Sequence, residues 1–114
     1  MLYERKVVLI RRGYPAELEA LHLLQQAYGK NNVMKVAIGS FGSDFIIFSD
    51  CKNEIRKLVE IKQCFSRKKF RASAREKEQL KRISEFAKSH AVAAEVWVKY
   101  FRKPFEKHPI GDFI

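Results

Sequence analysis

The apolar residues of the chain first follow a helical spacing. From residue 15 to residue 28 they recur every three or four positions and would share one face of a helix: Ala20, Leu21, Leu24 and Tyr28. Pro15 and Gly29, at either end of this segment, are typical of helix boundaries. Glu17 lies one turn before Leu21 on the same stripe, so we expect the helix to place one carboxylate on its inward side.

A second helix is predicted between residues 74 and 90 by an apolar stripe of the same kind: Leu80, Ile83, Phe86 and Ala87. Ser73 and Glu76 have the spacing of a capping box, which indicates where this helix begins. Gln79 falls on the same stripe, and we interpret it as a polar residue at the edge of the core rather than as a site residue.

Four runs of β-branched and aromatic residues predict strands. They cover residues 32–39, 44–48, 54–63 and 93–101. The first three runs follow one another closely and should form an antiparallel meander. The element order α-β-β-β-α-β predicts one α/β domain over residues 1–114, with an N-terminal extension at 1–10 and a tail at 103–114 left without an assigned element.

Two strands of the predicted meander contain charged residues that a fully apolar strand would lack. Asp44 begins the second strand, and Glu60 and Lys62 point to one face of the third. If the intervening turn is centred near Lys52, the numbers of paired residues sum to about 104, which sets Asp44 opposite Glu60. The alternative is an ordinary half-exposed strand face, with Asp44 as a turn residue.

Carboxylates gathered against an apolar layer repel one another unless a cation neutralises them. With Glu17 added from the first helix, Asp44 and Glu60 would offer three sets of oxygen ligands, which favour Mg²⁺ or Mn²⁺ over zinc. Lys62 could orient a water molecule and stabilise negative charge in a phosphodiester transition state. The pattern is therefore consistent with metal-dependent hydrolysis of a phosphodiester.

The overall charge points to a polyanionic partner. Lys and Arg total 23 against 13 Asp and Glu, a formal net charge of +10, which favours nucleic acid or an acidic membrane surface. No apolar run reaches the roughly 18 residues of a membrane span, and no signal peptide is recognisable, so we expect a soluble, cytoplasmic protein without a membrane partner. Cys51 and Cys64 have no metal-ligand spacing and are expected to be free thiols.

Several short motifs occur in an order found in a known group of nucleases. They are RRGYPAELE at residues 11–19, Gly39-Ser40 before Asp44, VEIK at residues 59–62, Glu78-Gln79 and Glu85-Phe86-Ala87. In this order the chain resembles the PD-(D/E)xK nuclease superfamily and, within it, the archaeal Holliday junction resolvases and their viral and phage relatives. It departs from that pattern at Leu18, where relatives often have Arg, and at Ser43, where Pro is common.

The resemblance implies a restriction-endonuclease-like core, with a mixed central β-sheet flanked by helices. It implies that Asp44 and Glu60 ligate Mg²⁺ or Mn²⁺ together with the backbone carbonyl of Ile61. Glu17 would be a further or water-mediated ligand, and Lys62 would assist the nucleophilic water.

The resemblance also implies the activity of a crossover junction endodeoxyribonuclease, acting on four-way DNA in recombination and repair near the nucleoid. Ser40 would lie on a mobile loop beside the scissile phosphate, although a turn residue next to Gly39 would look the same. A two-fold symmetric junction needs two active sites, so a homodimer is implied. Phe101, Trp97 or residues 1–10 are candidates for its apolar contact surface.

Basic residues around these motifs are candidates for contact with DNA phosphates: Arg11, Arg12, Lys35, Lys68, Lys69, Arg71 and Arg75. Such contacts give salt-dependent binding with little base specificity. A basic loop that is merely solvated is the alternative. Two further functions stay open, namely another nuclease of the superfamily acting on flap, duplex or single-stranded DNA, and a non-catalytic basic DNA-binding protein whose carboxylates are structural.

The last eight residues, KHPIGDFI, allow two interpretations. Ile110, Phe113 and Ile114 occupy the hydrophobic positions of a sliding-clamp-binding peptide, with Lys107 where that motif usually has Gln. A final edge strand or a tail packed on the core is the alternative, and we favour it slightly.

Overall fold

The computed structural model of the chain describes residues 14–36, 44–50, 54–65 and 68–114. The predictions made for Arg11, Arg12, Ser40, Cys51 and residues 1–10 lie outside these ranges. Within them, no helix is long and apolar enough to cross a membrane.

The helices and strands follow the order that the apolar spacing predicts, with one addition. The helices are α1 (Tyr14–Tyr28) and α2 (Ala74–Ser89). The strands are β1 (Val33–Lys35), β2 (Phe45–Phe48), β3 (Ile55–Cys64), β4 (Ala93–Tyr100) and β5 (Glu106–Pro109), and short 3-10 helices span Lys30–Asn32 and Ile110–Phe113. Strand β5 was predicted only as one alternative for the tail, a final edge strand, because its sequence EKHP contains no β-branched residue.

The strands form one mixed sheet in the order β1-β2-β3-β4-β5. The β1-β2-β3 meander is antiparallel, as predicted, and β5 is antiparallel to β4. Strands β3 and β4 are parallel, and α2 supplies the long crossover that a parallel pair requires. The predicted α/β class with a mixed sheet is thus confirmed.

The register between β2 and β3 decides which side chains meet at the predicted site. Phe45 pairs with Val59, and the residue numbers of the first three pairs sum to 104, as predicted. Asp44 immediately precedes Phe45 and therefore lies at the level of Glu60 on the neighbouring strand.

Each face of the sheet is covered by one helix. On the α1 face the buried core is Ala16, Ala20, Leu24, Phe45, Ile47, Val59, Ile61 and Trp97. On the α2 face it is Ile46, Leu58, Leu80, Ile83, Ala87, Val96, Val98 and Ile110. Because β3 side chains alternate between faces, Glu60 and Lys62 share the α2 face with Leu58.

The predicted capping box at the start of α2 is present. Ser73 Oγ accepts a hydrogen bond from the backbone N–H of Glu76 at 3.2 Å, and Glu76 Oε1 accepts one from the backbone N–H of Ser73 at 3.0 Å. The two bonds fix both the first turn of α2 and the side chain of Glu76.

The tail packs on the domain, as the favoured alternative predicted. Strand β5 pairs with β4, and Ile110 is buried in the core beneath α2. The ring of Phe113 meets that of Phe70 edge-on, with 5.7 Å between ring centroids. The suggestion of a clamp-binding peptide is therefore not supported for Ile110 and Phe113, since their apolar surfaces already bury against the core, and only Ile114 stays largely exposed.

Replacing Ile110 by Ala should lower the free energy of unfolding by about 2 kcal/mol or more, because it leaves a cavity in the core beneath α2. Ile114→Ala shortens an exposed side chain of the same tail and should change the free energy of unfolding by less than about 0.5 kcal/mol. Urea titrations followed by circular dichroism measure both changes. Deletion of residues 107–114 without loss of stability would contradict the packed tail.

Candidate active site

Asp44 is held between two strands at the end of the meander. Its carboxylate Oδ2 accepts a hydrogen bond from the backbone N–H of Ile61 in β3 at 2.7 Å. Its backbone carbonyl accepts one from the N–H of Val36, just beyond β1, at 2.9 Å. The side chain of Asp44 thus continues the pairing with β3 beyond Phe45, which fixes this carboxylate beside Glu60.

Glu60 is a carboxylate buried within the sheet, with 3% of its surface exposed. Oε2 lies 3.2 Å from the ammonium of Lys62, whereas Oε1 is buried and has no hydrogen-bond partner among the described residues. Burial, and then the negative charge of Asp44, raises the pKa of Glu60 from its ordinary 4.5 to about 8, although Lys62 acts in the opposite direction.

The pKa of Asp44 is raised as well. Burial is the largest cause, and it outweighs the hydrogen bond from the backbone of Ile61, which acts to lower the pKa. The charge of Glu17 adds to the increase. Two neighbouring carboxyl groups that both resist ionisation will hold a proton between them near neutral pH unless a cation takes its place.

The ammonium of Lys62 has three acceptors around it. Glu60 Oε2 lies at 3.2 Å, Gln79 Oε1 at 3.3 Å and Glu76 Oε2 at 3.4 Å. The interpretation of Gln79 as merely a core-edge residue was therefore incomplete, because its amide oxygen contacts the predicted catalytic lysine. The contact of Glu76 with Lys62 was not predicted, although the capping box already placed Glu76 in the first turn of α2.

Glu17 is near enough for its charge to raise the pKa of Asp44, but no described interaction joins it directly to Asp44 or Glu60. It lies on α1, which covers the opposite face of the sheet, and its Oε2 is 3.5 Å from the ammonium of Lys35. This pair is close enough for charge attraction but is not aligned as a hydrogen bond. Nowhere in the described ranges do three His, Cys, Asp or Glu side chains converge as direct metal ligands, and Glu17 stays a predicted further or water-mediated ligand.

The pair formed by Asp44 and Glu60 nevertheless fits a magnesium-type ion. Mg²⁺ keeps several of its waters and is commonly held by one or two carboxylates. Among the described residues no donor reaches the buried Oε1 of Glu60, and a cation would satisfy it while removing the repulsion from Asp44. Oxygen ligands of this kind select Mg²⁺ or Mn²⁺ over softer metals. The backbone carbonyl of Ile61 stays a predicted third ligand.

The basic segment before α2 exposes several cations. Lys68, Lys69, Arg71 and Arg75, all predicted to contact DNA, have exposed side chains. Lys69 and Arg71, together with Lys77, line a cavity of about 430 Å³ whose other walls include Phe70, Tyr100 and Phe113. Lys77 follows Glu76 in the first turn of α2, so the cavity lies beside the beginning of this helix. Lys77 was missed because the sequence alone does not show which side of α2 faces the basic segment.

A solved structure with a similar fold is the Holliday junction resolvase Hjc of Archaeoglobus fulgidus, an archaeal hyperthermophile. The TM-score is 0.62 at 22% sequence identity, over 83% of this chain and 74% of the resolvase. This chain shares the fold of that resolvase. The resemblance found in the short motifs is thereby confirmed for the fold, and the roles of individual residues stay predictions.

The likeness to Hjc is one of three-dimensional structure. Comparisons with protein-family models and with curated protein sequences give no match. At 22% identity the resolvase and this chain have diverged in most side chains, so the chemistry must be argued from the residues of this chain.

In the absence of divalent cations, the free energy of unfolding should fall as the pH rises from about 4.5 to about 8. Within this window Glu60 keeps its proton in the folded chain and loses it in the unfolded chain, so folding takes up a proton. Urea titrations in chelator at several pH values measure the decline. Glu60→Gln has no titratable group at this position, so most of the pH-dependent decline in the free energy of unfolding should disappear. Equal stability of the wild type across this window would contradict the raised pKa.

Proposed function

We propose that this chain is a metal-dependent endonuclease that hydrolyses phosphodiester bonds in branched DNA. The observation that carries the proposal is the buried pair Asp44 and Glu60, whose raised pKa values and unsatisfied oxygen suit a bound cation. The ammonium of Lys62 lies 3.2 Å from this pair. A formal net charge of +10 supports a polyanionic substrate, and the shared fold with a Holliday junction resolvase supports branched DNA.

The carboxylates of Asp44 and Glu60 would hold Mg²⁺ or Mn²⁺, with the Ile61 carbonyl as a further ligand. When bound, such an ion lowers the pKa of a coordinated water and stabilises charge on the phosphate. Lys62 donates hydrogen bonds from a fixed position and can orient the attacking water or stabilise the charge that develops on a phosphate oxygen. Glu17 would be a further ligand, directly or through an intervening water.

The exposed cations would bind phosphates on either side of the scissile bond. The described candidates are Lys69, Arg71 and Lys77, which line one cavity, with Lys35, Lys68 and Arg75. Arg11 and Arg12 stay candidates from the sequence, and Ser40 stays a predicted neighbour of the scissile phosphate. Contacts to phosphates carry little base specificity, so the shape of the DNA would select the substrate. Such an enzyme would act wherever the genome is accessible, which agrees with the expected cytoplasmic location.

Resolution of a four-way junction requires two nicks placed symmetrically, and hence two copies of the site. We include a homodimer in the proposal for this reason. Trp97 is buried and cannot supply the contact surface, whereas Phe101, in the turn after β4, has 68% of its surface exposed. A sliding clamp is left out of the proposal, because the tail would have to leave the core to reach it.

The activity is tested with labelled four-way junction, flap, duplex and single-stranded DNA, each incubated with Mg²⁺ or with chelator. We expect paired, symmetric nicks in the four-way junction, which depend on Mg²⁺. Glu60→Ala and Lys62→Met should each reduce cleavage by about a hundredfold or more, because each removes a group placed at the reacting phosphate. Gln63→Ala, which alters the residue next to Lys62, is the matched control and should cleave normally.

The other results identify the alternatives. Cleavage of all four substrates at similar rates would indicate a general nuclease of the same fold and would overturn the junction preference. Binding of every substrate without cleavage would indicate a DNA-binding protein and would overturn the catalytic assignment of Asp44, Glu60 and Lys62.

The dimer is tested by sedimentation at micromolar concentration. The wild type should have twice the 13.4 kDa mass of the chain, and Phe101→Glu should sediment as a monomer, because it introduces charge into the apolar contact. Leu23→Glu changes an exposed apolar residue on α1 in the same way and should leave the dimer intact. A monomeric wild type would contradict the dimer, and dissociation by Leu23→Glu alone would place the interface on α1.

A further inference from the structure

Glu76 links the first turn of α2 to the lysine of the candidate site. Its Oε1 accepts the hydrogen bond from the backbone N–H of Ser73 that completes the capping box, at 3.0 Å. Its Oε2 lies 3.4 Å from the ammonium of Lys62 on β3. One carboxylate therefore contacts both the helix terminus and the lysine.

The ammonium of Lys62 has three N–H donors, and three protein acceptors lie within 3.4 Å of it: Glu60, Gln79 and Glu76. Only Glu60 among them belongs to the proposed metal pair. When Glu60 shares its charge with a bound cation, its attraction for Lys62 weakens. Glu76 then supplies the remaining negative charge beside the ammonium, and Gln79 supplies a neutral acceptor.

The pair formed by Glu76 and Lys62 differs from an ordinary surface salt bridge. The side chain of Lys62 is 15% exposed and that of Glu76 is 33% exposed, so water screens the pair only in part. The capping box already fixes Glu76, and little further side-chain entropy is lost when it meets Lys62. Burial acts to raise the pKa of Glu76, but the hydrogen bonds from Ser73 and the charge of Lys62 lower it overall.

We infer that Glu76 is a positioning residue for Lys62, holding the ammonium at the carboxylate pair through the N-terminal capping box of α2. This inference rests on the proposed endonuclease activity. A lysine side chain contains four flexible carbon atoms joined by rotatable bonds. Its ammonium acts on the reacting phosphate only if the side chain is held in one conformation. Glu76 restrains the side chain of Lys62 from α2, a helix that carries none of the proposed metal ligands.

The kinetic test compares three variants on the DNA that the wild type cleaves best. Glu76→Ala should lower kcat about tenfold and change KM by less than about twofold, because it frees Lys62 without removing a DNA contact. Glu76→Gln has a single acceptor oxygen, which keeps the capping-box bond to the N–H of Ser73 but leaves no charge beside Lys62, so kcat should fall about as far as in Glu76→Ala. Ser73→Ala weakens the cap but leaves Glu76 in place, and it should destabilise the chain without lowering kcat.

An equal fall in kcat for Ser73→Ala and Glu76→Ala would overturn the inference, because it would assign the effect to the helix cap. An unchanged kcat in Glu76→Ala would overturn it as well.

A second measurement tests the contact without relying on catalysis. In a double-mutant cycle of urea unfolding, Glu76→Gln and Lys62→Met should be non-additive, because each removes one partner of the same pair. The cycle of Ser73→Ala with Lys62→Met should be additive, since Ser73 makes no contact with Lys62 among the described interactions.

Additivity in both cycles would overturn the inference even in a chain that cleaves DNA. Coupling together with a wild type that cleaves no DNA would refute the proposed function while preserving the contact.

Discussion

The hydrogen bond from the backbone of Ile61 to the carboxylate of Asp44 is the constraint on which the site depends. It lies just beyond the pairing of Phe45 with Val59, so an acidic side chain occupies the place of a further strand partner. A slip of one residue in this register would turn Asp44 away from Glu60 and would move Phe45 and Ile47, which are fully buried on the α1 face, to the opposite face of the sheet. The apolar core thus fixes the geometry of the carboxylate pair.

That geometry costs stability in the metal-free chain. Two carboxylates are brought together in a buried position, and the raised pKa of each measures their resistance to ionisation. Lys62 offsets part of the cost, and Glu76 and Gln79 hold Lys62 in turn. Unfavourable burial of two neighbouring carboxylates within an otherwise well-packed fold is typical of a functional site, where a bound cation or substrate removes the repulsion.

The two faces of the sheet serve different purposes. The α1 face is apolar around Trp97 and Phe45, with Glu17 and Lys35 paired near its border. The α2 face combines a second apolar core with Glu60 and Lys62, and the basic segment that leads into α2 lies on the same side. The helix that completes the core therefore also brings the polar residues that contact the lysine.

Much of the site could be predicted because it depends on local patterns. Strand periodicity placed Glu60 and Lys62 on one face, and the short connection between β2 and β3 set the register that brings Asp44 beside them. The contacts of Gln79 and Glu76 could not be predicted in the same way. Helical spacing shows which residues share a stripe, but it does not show which strand that stripe will meet.

The sequence by itself determined the two helices with their boundaries, the antiparallel meander, the capping box and the pairing of Asp44 with Glu60. These features follow from residue spacing over a few turns or one short connection. Only the tertiary structure decided that Glu17 lies beside Lys35, that strand β5 of the tail pairs with β4, and that Glu76 reaches Lys62. Each of these depends on which distant surfaces bury against each other, and that choice is made by packing of the whole core.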